Sequence, residues 1–361
     1  MSASSQRSIG PVSAVVCNYN GEGYLRELLQ SLKDQTEGLD EVIVVDNNSS
    51  DGSLELVKRE YPWVKVLPLP VNGGPCSARN AGMRAARNRW VLAVDNDAIL
   101  SPDVLGKLRV AIESDSSVVM AQPRSVFEAE PGRVHYDGAH FHYVGLLSLR
   151  NFYRPVERAE GEGTLPVDGA IAIAILLDRD AVLEVGGYDE DFFILFEDYD
   201  LSQRLRLAGH VVLSVEDATV LHRGGTPGIS FREGEYPAQR AFYHSRNRWL
   251  LLAKNHSIRT LFVSLPGLFF YEAVWVVFTL RSGHLRAYVR GKLSFLKSWG
   301  RTMTKRRVVQ GKRKLRDRDM LVGARLTFSP ELTDRPWKEA VVRTFDLILG
   351  GWWRLARGLS G

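Results

Sequence analysis

Short apolar segments alternate with amphipathic ones in the first third of the chain, and this alternation constrains the fold more than any other feature. Segments rich in Val, Ile and Leu recur at 12–17, 41–46, 64–69, 90–95 and 117–122. Between them, apolar residues recur at helical spacing, as at Leu25, Leu28 and Leu32. Strands that alternate with helices form right-handed βαβ units with helices on both faces of a parallel sheet. The sequence therefore predicts an α/β fold with a mostly parallel central sheet.

Polar residues stand at the carboxyl ends of four of these segments. They occur as Cys17-Asn18-Tyr19-Asn20, Asp46-Asn47-Asn48, Asn72-Gly73-Gly74 and Asp95-Asn96-Asp97. In open α/β sheets, ligands bind outside the carboxyl ends of the strands. We therefore expect these loops to lie along one edge of the sheet and to form a binding site.

Asp95 and Asp97 are candidates for a metal site. Two carboxylates one residue apart at the end of a strand can approach one hard divalent cation, Mg²⁺ or Mn²⁺, which also takes phosphate oxygens of a ligand. A solvated turn explains the same pattern, because Asp and Asn favour turns. His222 follows another apolar segment. As a neutral imidazole it could complete the site and favour Mn²⁺, or it could be an ordinary surface or core histidine.

Six carboxylates crowd a short segment before a helical pattern. They are Asp189, Glu190, Asp191, Glu197, Asp198 and Asp200. Acidic residues at a helix start compensate the helix dipole, which is one explanation. The other is a general base, because crowding and neighbouring phenylalanines can raise the pKa of one carboxyl group enough to take a proton from an alcohol. The pattern leaves both explanations open.

Asp46 and Arg79 each have two interpretations. Asp46 could accept a hydrogen bond from the N3–H of a uracil or thymine ring, or it could close an Asx turn onto Asn48. Arg79 lies one turn into the helix predicted after Gly73 and Gly74. It could reach a diphosphate, or it could be an ordinary surface arginine.

The last hundred residues differ in character from the rest. Residues 256–361 hold 21 Lys and Arg against seven Asp and Glu, a net charge of +14, whereas the first 255 hold 26 against 35, a net charge of −9. An apolar run at 261–280 is long enough to span a bilayer, but Pro266 and Glu272 interrupt it, so we expect no simple span. A final helix places Trp337, Val341, Phe345, Ile348, Leu349, Trp352 and Leu355 on one face. The tail is predicted to be helical and to associate with an anionic membrane surface.

A polyanionic partner of this tail could also be a nucleic acid, which makes a nucleic-acid-binding protein one alternative. The membrane is preferred because the basic stretch is flanked by an apolar run and an amphipathic helix.

The chain has two cysteines, Cys17 and Cys76, without zinc or disulfide spacing, which fits a reducing compartment. The first eleven residues lack an apolar core, so we expect no secretory signal.

Six motifs in order resemble the family 2 glycosyltransferases, and among them bacterial enzymes that build lipid-linked polysaccharide, including rhamnosyltransferases. The motifs are VSAVVCNYNGEGYLRELLQSL, EVIVVDNNSSDGS, NGGPCSARNAG, AVDNDA, GGYDEDFFILFEDYDLSQRLRLAG and VLHRGG. The resemblance implies a single Rossmann-like nucleotide-diphospho-sugar transferase domain of glycosyltransferase A-type fold at 10–255, followed by the membrane-associating tail at 256–361. It also implies inverting transfer of a sugar, with rhamnose favoured, from a dTDP or UDP donor to a lipid-linked or polysaccharide acceptor.

The resemblance also implies roles for individual residues. The metal, Mn²⁺ or Mg²⁺, would be held by Asp97, Asp95 and His222. Asp198 would be the catalytic base, with Glu197 as its rival. The nucleotide would contact Cys17, Asn18, Tyr19, Asp46, Asn72, Arg79, Asp95 and Asn96. Cys17 departs from the family, in which Thr or a similar small polar residue is common, and this leaves the contact of the first loop with the base open.

Further expectations concern the binding partners of the protein and its location in the cell. The acceptor is expected to contact the irregular region at 125–165 and the loop at 225–236. The enzyme is expected at the cytoplasmic face of the membrane, peripheral or monotopic, with no nucleic-acid partner, and a homodimer is left open. A sugar-nucleotide-binding protein without activity is the remaining alternative to an enzyme.

Overall fold

The computed structural model describes residues 8–224, 228–230, 236–330 and 333–361, which fall into two compact units. The first unit holds residues up to Gly138, then Arg150–Arg206 and His210–Gly224. The second holds Ala139–Leu149, Leu207–Gly209 and the described residues beyond 224. The helix Ala238–Asn255 packs with other helices of the second unit. The predicted domain boundary at 255 stays a prediction.

The strands and helices are named here in chain order. The strands are β1 Val12–Asn18, β2 Glu41–Asp46, β3 Lys65–Pro68, β4 Trp90–Asp95, β5 Ala98–Leu100, β6 Val118–Phe127, β7 Val134–Tyr136, β8 Ala139–His142, β9 Leu146–Leu149, β10 Thr164–Val167, β11 Ala174–Asp178, β12 Val211–His222 and β13 Leu321–Val322. The helices are α1 Leu25–Lys33, α2 Ser53–Glu60, α3 Gly74–Ala85, α4 Val104–Glu113, α5 Arg179–Glu184, α6 Glu197–Leu207, α7 Ala238–Asn255, α8 Ile258–Arg281, α9 Leu285–Lys297, α10 Trp299–Gly311, α11 Asp317–Met320 and α12 Pro336–Ala356.

One mixed sheet forms the centre of the first unit. Its order is β10-β12-β6-β11-β4-β1-β2-β3, with β5 paired to β12 and β7 paired to β6. The predicted parallel arrangement holds for β4, β1, β2 and β3. It also holds for β6 and β12, which pair in parallel. It is wrong for β11, which runs antiparallel to both β4 and β6, and for β10, which runs antiparallel to β12.

The antiparallel course of β11 has a physical origin in the chain between β6 and β11. Parallel neighbours need a long crossover, usually a helix, to carry the chain back over the sheet. Residues 128–173 are all described, and they form short strands and one turn of 3₁₀-helix at Val156–Arg158, without an α-helix. Within the region predicted to be irregular, β8 and β9 form an antiparallel hairpin that belongs to the second unit.

The helix α3 lies unusually close to the sheet because Gly82 faces it. A Cβ atom on Gly82 would lie 2.2 Å from Cγ1 of Val15 and 3.0 Å from Cγ2 of Val45. Those two valines belong to the buried strands β1 and β2. The close approach places Arg79, three residues earlier on α3, beside the carboxyl ends of the central strands.

The second unit is mainly helical, as predicted for the tail. It contains α7 to α12 and a small sheet in the order β13-β8-β9. Within the described part of the chain, α8 is the one helix long and apolar enough to cross a membrane by length and composition. It continues through Pro266. The ring of Tyr143 stacks on Trp353 of α12 at 4.6 Å, which fixes the hairpin of β8 and β9 to that helix.

Candidate active site

The three predicted metal ligands come together in the first unit. Asp95 ends β4, Asp97 lies in the turn that follows, and His222 ends β12. One ligand atom from each lies within 4.8 Å of the others, and Nε2 of His222 is 3.2 Å from Oδ1 of Asp97. The strand β5 joins them, because it begins directly after Asp97 and pairs Ala98 with His222. Two carboxylates and an imidazole are a donor set that suits Mn²⁺.

Neighbouring groups move the pKa values of the two carboxyl groups apart. Burial raises the pKa of Asp97, but the hydrogen bond and charge of His222 outweigh burial and leave the pKa below its ordinary value. Burial also raises the pKa of Asp95. The Arg79 guanidinium lowers this pKa and the charge of Asp97 raises it further, so the pKa of Asp95 stays above its ordinary value. Two carboxylates that crowd each other in this way are stabilised by a shared divalent cation.

Arg79 joins these carboxylates to the acidic start of α6. Its guanidinium donates to Asp95 at 2.7 Å and to Asp198 at 3.3 Å, and it lies 3.5 Å from Glu197. It is only 4% exposed, and it lies over the ring of Tyr188 at 5.3 Å. The interpretation as a surface arginine is therefore wrong. The guanidinium holds three carboxylates from distant parts of the chain around one point.

The loop before α6 has a strained backbone. Phe193, Leu195 and Phe196 have positive φ angles of 63°, 68° and 74°, a conformation that costs about 1–3 kcal/mol for each non-glycine residue. Gly74 begins α3 with φ of 76°, and a Cβ atom there would lie 2.4 Å from the carbonyl oxygen of Phe193. The start of α3 therefore packs directly against the backbone of the strained loop. Backbone strain of this kind is most frequent at functional sites.

Five of the six crowded acidic residues divide into two groups. Asp200 pairs with Arg204 at 2.8 Å, Glu190 accepts from Asn80 at 2.9 Å, and Asp189 caps its own turn. These three carboxyl groups thus make structural contacts within the protein.

Glu197 and Asp198 form the other group, beside Arg79. Burial, and then the charge of Asp198, raise the pKa of Glu197 to about 8. Asp198 accepts a hydrogen bond from the backbone N–H of Ala172 at 3.2 Å. One buried pair thus combines a carboxyl group that stays mostly protonated at neutral pH with a hydrogen-bonded carboxylate.

The remaining strand ends are tied together by side-chain hydrogen bonds. Asn18 donates to Oδ1 of Asp46 at 2.9 Å and accepts from Asn96 at 3.0 Å. Oδ2 of Asp46 accepts from the backbone N–H of Ser49 at 3.1 Å, so the turn closes onto Ser49 rather than Asn48. Both carboxylate oxygens of Asp46 are thus engaged within the protein, and the residue is 3% exposed.

The first and third loops complete this edge of the sheet. Tyr19 is 47% exposed, which leaves its ring free to meet a ligand. Cys17 lies beside Asp95 in register, and burial raises the pKa of its thiol to about 12, so it is neutral. Asn72 accepts from Asn47 at 2.9 Å, which links the loops after β2 and β3.

The site also contains residues that the sequence reasoning missed. His135 lies with its Nδ1 3.2 Å from Nδ1 of His222, and burial, followed by the charge of His222, lowers its pKa to about 3. It stands in the stretch predicted to be irregular, where no periodicity marks it. Tyr188, whose ring lies beneath Arg79, was also missed. Of the loop at 225–236, residues 225–227 and 231–235 lie outside the described part of the chain, so the predicted acceptor contact there stays a prediction.

Comparison with known proteins agrees with the sequence resemblance. Residues 13–183 match the family described as Glycosyl transferase family 2. The chain is 28% identical over 270 residues to the N-acetylglucosaminyl-diphospho-decaprenol L-rhamnosyltransferase of Mycobacterium tuberculosis, which covers 68% of this chain and 85% of that protein. It is 24% identical over 266 residues to the dTDP-rhamnosyl transferase RfbF of Shigella flexneri, which covers 70% of this chain and 86% of that protein.

A solved structure supports the fold. The chain resembles GalNAc-T7, whose crystal structure contains UDP, GalNAc and Mn²⁺, with a TM-score of 0.51 at 16% identity. The match covers 66% of this chain and 50% of that one, so this chain spans half the length of that protein. It confirms the α/β architecture of glycosyltransferase A type.

The raised pKa of Glu197 predicts a pH-dependent effect of the variant Glu197→Gln. In the wild type, Glu197 keeps its proton in the folded state up to pH of about 8, whereas an unfolded glutamate loses it near a pKa of about 4.3. Between these values the unfolded state binds fewer protons, so the wild type loses stability as pH rises. Glutamine has no proton to lose. The melting temperature of Glu197→Gln minus that of the wild type should therefore increase from pH 5 to pH 8.

Thermal melts of both proteins at several pH values, without added metal or nucleotide, measure this difference. Glu55→Gln, on an exposed face of α2, is the matched control. A difference for Glu197→Gln that stays constant across this pH range would show that Glu197 is ionised in the folded protein.

Proposed function

Because residues 13–183 form a domain of glycosyltransferase family 2, we propose that this glycosyltransferase inverts the anomeric centre of a sugar taken from a nucleoside diphosphate. The donor is proposed to be a dTDP- or UDP-sugar, with rhamnose favoured, and the acceptor a hydroxyl of a lipid-linked or polysaccharide glycan. The observation that carries the proposal is the cluster of Asp95, Asp97 and His222. Arg79 links this cluster to Glu197 and Asp198, because it pairs with both of them and with Asp95. Rhamnose is supported by the two relatives named as rhamnosyltransferases.

The metal in this proposal is Mn²⁺ or Mg²⁺. Asp97, Asp95 and His222 would hold it, since they offer two carboxylates and an imidazole within 4.8 Å. When bound, a divalent cation stabilises the charge that develops on a leaving diphosphate. Arg79 would add positive charge to the same edge, and it fixes Asp95 in place at 2.7 Å.

Asp198 is the proposed general base. An alcohol is a weak nucleophile, so a positioned carboxylate that takes its proton during attack speeds transfer. Glu197 is mostly protonated at neutral pH because its pKa lies near 8, which suits it to donate a hydrogen bond to the acceptor rather than to take a proton. Attack from the face opposite the diphosphate inverts the anomeric centre in one step, without a covalent intermediate.

The nucleotide is proposed to lie along the tied strand ends. Tyr19 offers an exposed ring, and the half-buried Asn96 and Asn72 offer amide groups along the same edge. Asn18 is fully buried and accepts from Asn96 at 3.0 Å, so it would act by orienting Asn96. Asp46 already uses both oxygens inside the protein. A contact of Asp46 with the pyrimidine ring therefore requires one of these hydrogen bonds to be exchanged.

The variant Asp198→Asn tests the base. We expect kcat to fall by about 10²–10⁴-fold, because the amide cannot take the proton, while affinity for the nucleoside diphosphate with Mn²⁺ changes little. Steady-state rates and calorimetric titration with dTDP and UDP measure both quantities. The control is Asp103→Asn, an exposed residue before α4. Retained turnover in Asp198→Asn would contradict the assignment.

We also propose that the tail binds the surface of an anionic membrane, at the cytoplasmic face, without a simple span. Glu272 of α8 accepts from Trp249 at 2.6 Å and from Lys292 at 2.7 Å, and it also accepts from Arg248 and Tyr288. The helices α7 and α9 provide these donors. A span by α8 would either break these contacts or carry Arg248 and Lys292 into the hydrocarbon, and both are costly.

An exposed apolar stripe supports a location at the interface. Phe262, Leu265, Phe269, Val276 and Leu280 follow helical spacing on the outer side of α8. On α12, the predicted apolar face has an exposed part and a buried part. Trp337, Val341, Ile348 and Leu355 are exposed, whereas Phe345 and Leu349 are buried. Apolar stripes beside a cationic surface suit the headgroup region of an anionic membrane.

Part of the positive charge of the tail has a structural use. Arg306 donates to the carbonyl oxygens of Ala253 and His256 at 2.7 and 2.6 Å, and Arg313 pairs with Asp317 at 2.7 Å. These cations hold the helices of the second unit together. They weaken the case for a polyanion such as nucleic acid as the main partner of the tail.

Liposome flotation tests the membrane proposal. The full chain should float with vesicles that contain anionic lipid, and the double variant Phe262→Ser/Phe269→Ser should float less, because both side chains are 70% exposed on α8. The matched control is Val110→Ser on α4, which is 69% exposed. If the wild type stays in solution, or if the double variant floats as well as the wild type, the stripe on α8 is not the membrane contact.

A further inference from the structure

His135 is a further titratable group that lies against His222, one of the proposed metal ligands. Its Nδ1 lies 3.2 Å from Nδ1 of His222, and the two ring centroids are 4.9 Å apart at an interplanar angle of 26°. On the other side of His222, Nε2 lies 3.2 Å from Oδ1 of Asp97. One imidazole is thus placed between a carboxylate and a second imidazole.

The backbone conformation of β7 places the side chain of His135 beside His222. In the pairing of β6 with β7, Ser125 faces Tyr136 and Val126 faces Val134, so His135 is the extra residue of a β-bulge. On its other edge β6 pairs with β12, where Phe127 faces His222. Bulges redirect a side chain and are frequent next to active sites. The register of three strands therefore brings the two rings together.

Packing holds the ring of His135 in this orientation. The ring of Phe127 lies 4.5 Å from it and that of Phe152 lies 6.4 Å from it. Oγ of Ser125 is 3.5 Å from Nδ1, the same atom that faces His222. Aromatic packing at these distances restricts the rotation of the ring.

The chemistry of imidazole determines which ring nitrogen of His222 carries the proton when the other nitrogen binds a metal. A neutral histidine carries one N–H donor and one nitrogen acceptor. If Nε2 of His222 gives its lone pair to a cation shared with Asp97, Nδ1 must carry the proton and donate it. Nδ1 of His135 is in place to accept that hydrogen bond. Metal-binding histidines usually donate their second ring N–H to such a partner, which sets the tautomer and the ring orientation.

We infer that His135 is a positioning residue that holds His222 in the tautomer and orientation needed to bind a divalent cation through Nε2. This inference rests on the proposed metal site and adds a residue to which that proposal gives no role. His135 itself does not contact the cation, the donor or the acceptor in this assignment.

Titration of Mn²⁺ alone into the full-length protein, followed by the EPR signal of free Mn²⁺, tests the inference. In His135→Leu the acceptor is lost, and affinity for Mn²⁺ should fall by about 10–100-fold. In His135→Asn the side-chain oxygen can take the place of Nδ1, so most of the affinity should remain. His210→Leu is the matched control, since His210 immediately precedes β12 and His222 ends it.

A second readout separates positioning from general damage to the fold. Electron spin echo modulation from a histidine ¹⁴N should be present with Mn²⁺ in the wild type and in His135→Asn, and should be weakened in His135→Leu. Equal Mn²⁺ affinity in His135→Leu and wild type would overturn the role of His135 and leave the metal site intact. Equally weak binding in His135→Asn and His135→Leu would also overturn it. Absence of Mn²⁺ binding by the wild type would refute the metal site and this inference together.

Discussion

The buried ion cluster around Arg79 is the interaction on which the candidate site depends. Asp95 comes from the end of β4, and Glu197 and Asp198 come from the start of α6, about a hundred residues later in the chain. Asp95 and Asp198 would repel each other if no cation lay between them, whereas Glu197 is mostly protonated beside them because its pKa is raised to about 8. Removing one member of such a buried group is strongly destabilising. Arg79 reaches them because Gly82 lets α3 lie close to the sheet. The same contact fixes the distance between the proposed metal side and the proposed base side of the site.

Much of this arrangement could be predicted because parallel strands end at a common edge. The bounds of β1, β2 and β4 follow from their apolar runs, and the placing of Asp95 and Asp97 at that edge follows from strand order. The burial of Arg79 could not be predicted, because helical spacing does not show which face of α3 approaches the sheet. His135 was missed because a β-bulge in a short strand leaves no periodic signal. The antiparallel course of β11 was missed for a related reason, since the chain before it contains no crossover helix and its strands are short.

In the second unit, composition alone leaves open whether α8 spans a membrane and what the basic residues bind. The apolar run at 261–280 is long enough to span a bilayer, and only the contacts of Glu272 with α7 and α9 give a physical reason why it should not. The sequence marked Glu272 as an obstacle to a span, but it could not name the donors. Likewise, the excess of Lys and Arg indicated a polyanionic partner, whereas Arg306 and Arg313 use their charge within the unit. The exposed stripe on α8 is what remains available for a membrane surface.

We propose that a divalent cation held by Asp95, Asp97 and His222 supports inverting sugar transfer. Proton NMR of reactions with dTDP-, UDP- and GDP-sugars and a lipid-linked acceptor, with Mn²⁺ and with EDTA, measures both the metal dependence and the configuration of the product. We expect a product with one of the dTDP- or UDP-sugars, only when metal is present, and with the anomeric configuration opposite to that of the donor. Transfer at full rate in EDTA, or a product that retains the configuration of the donor, would contradict it.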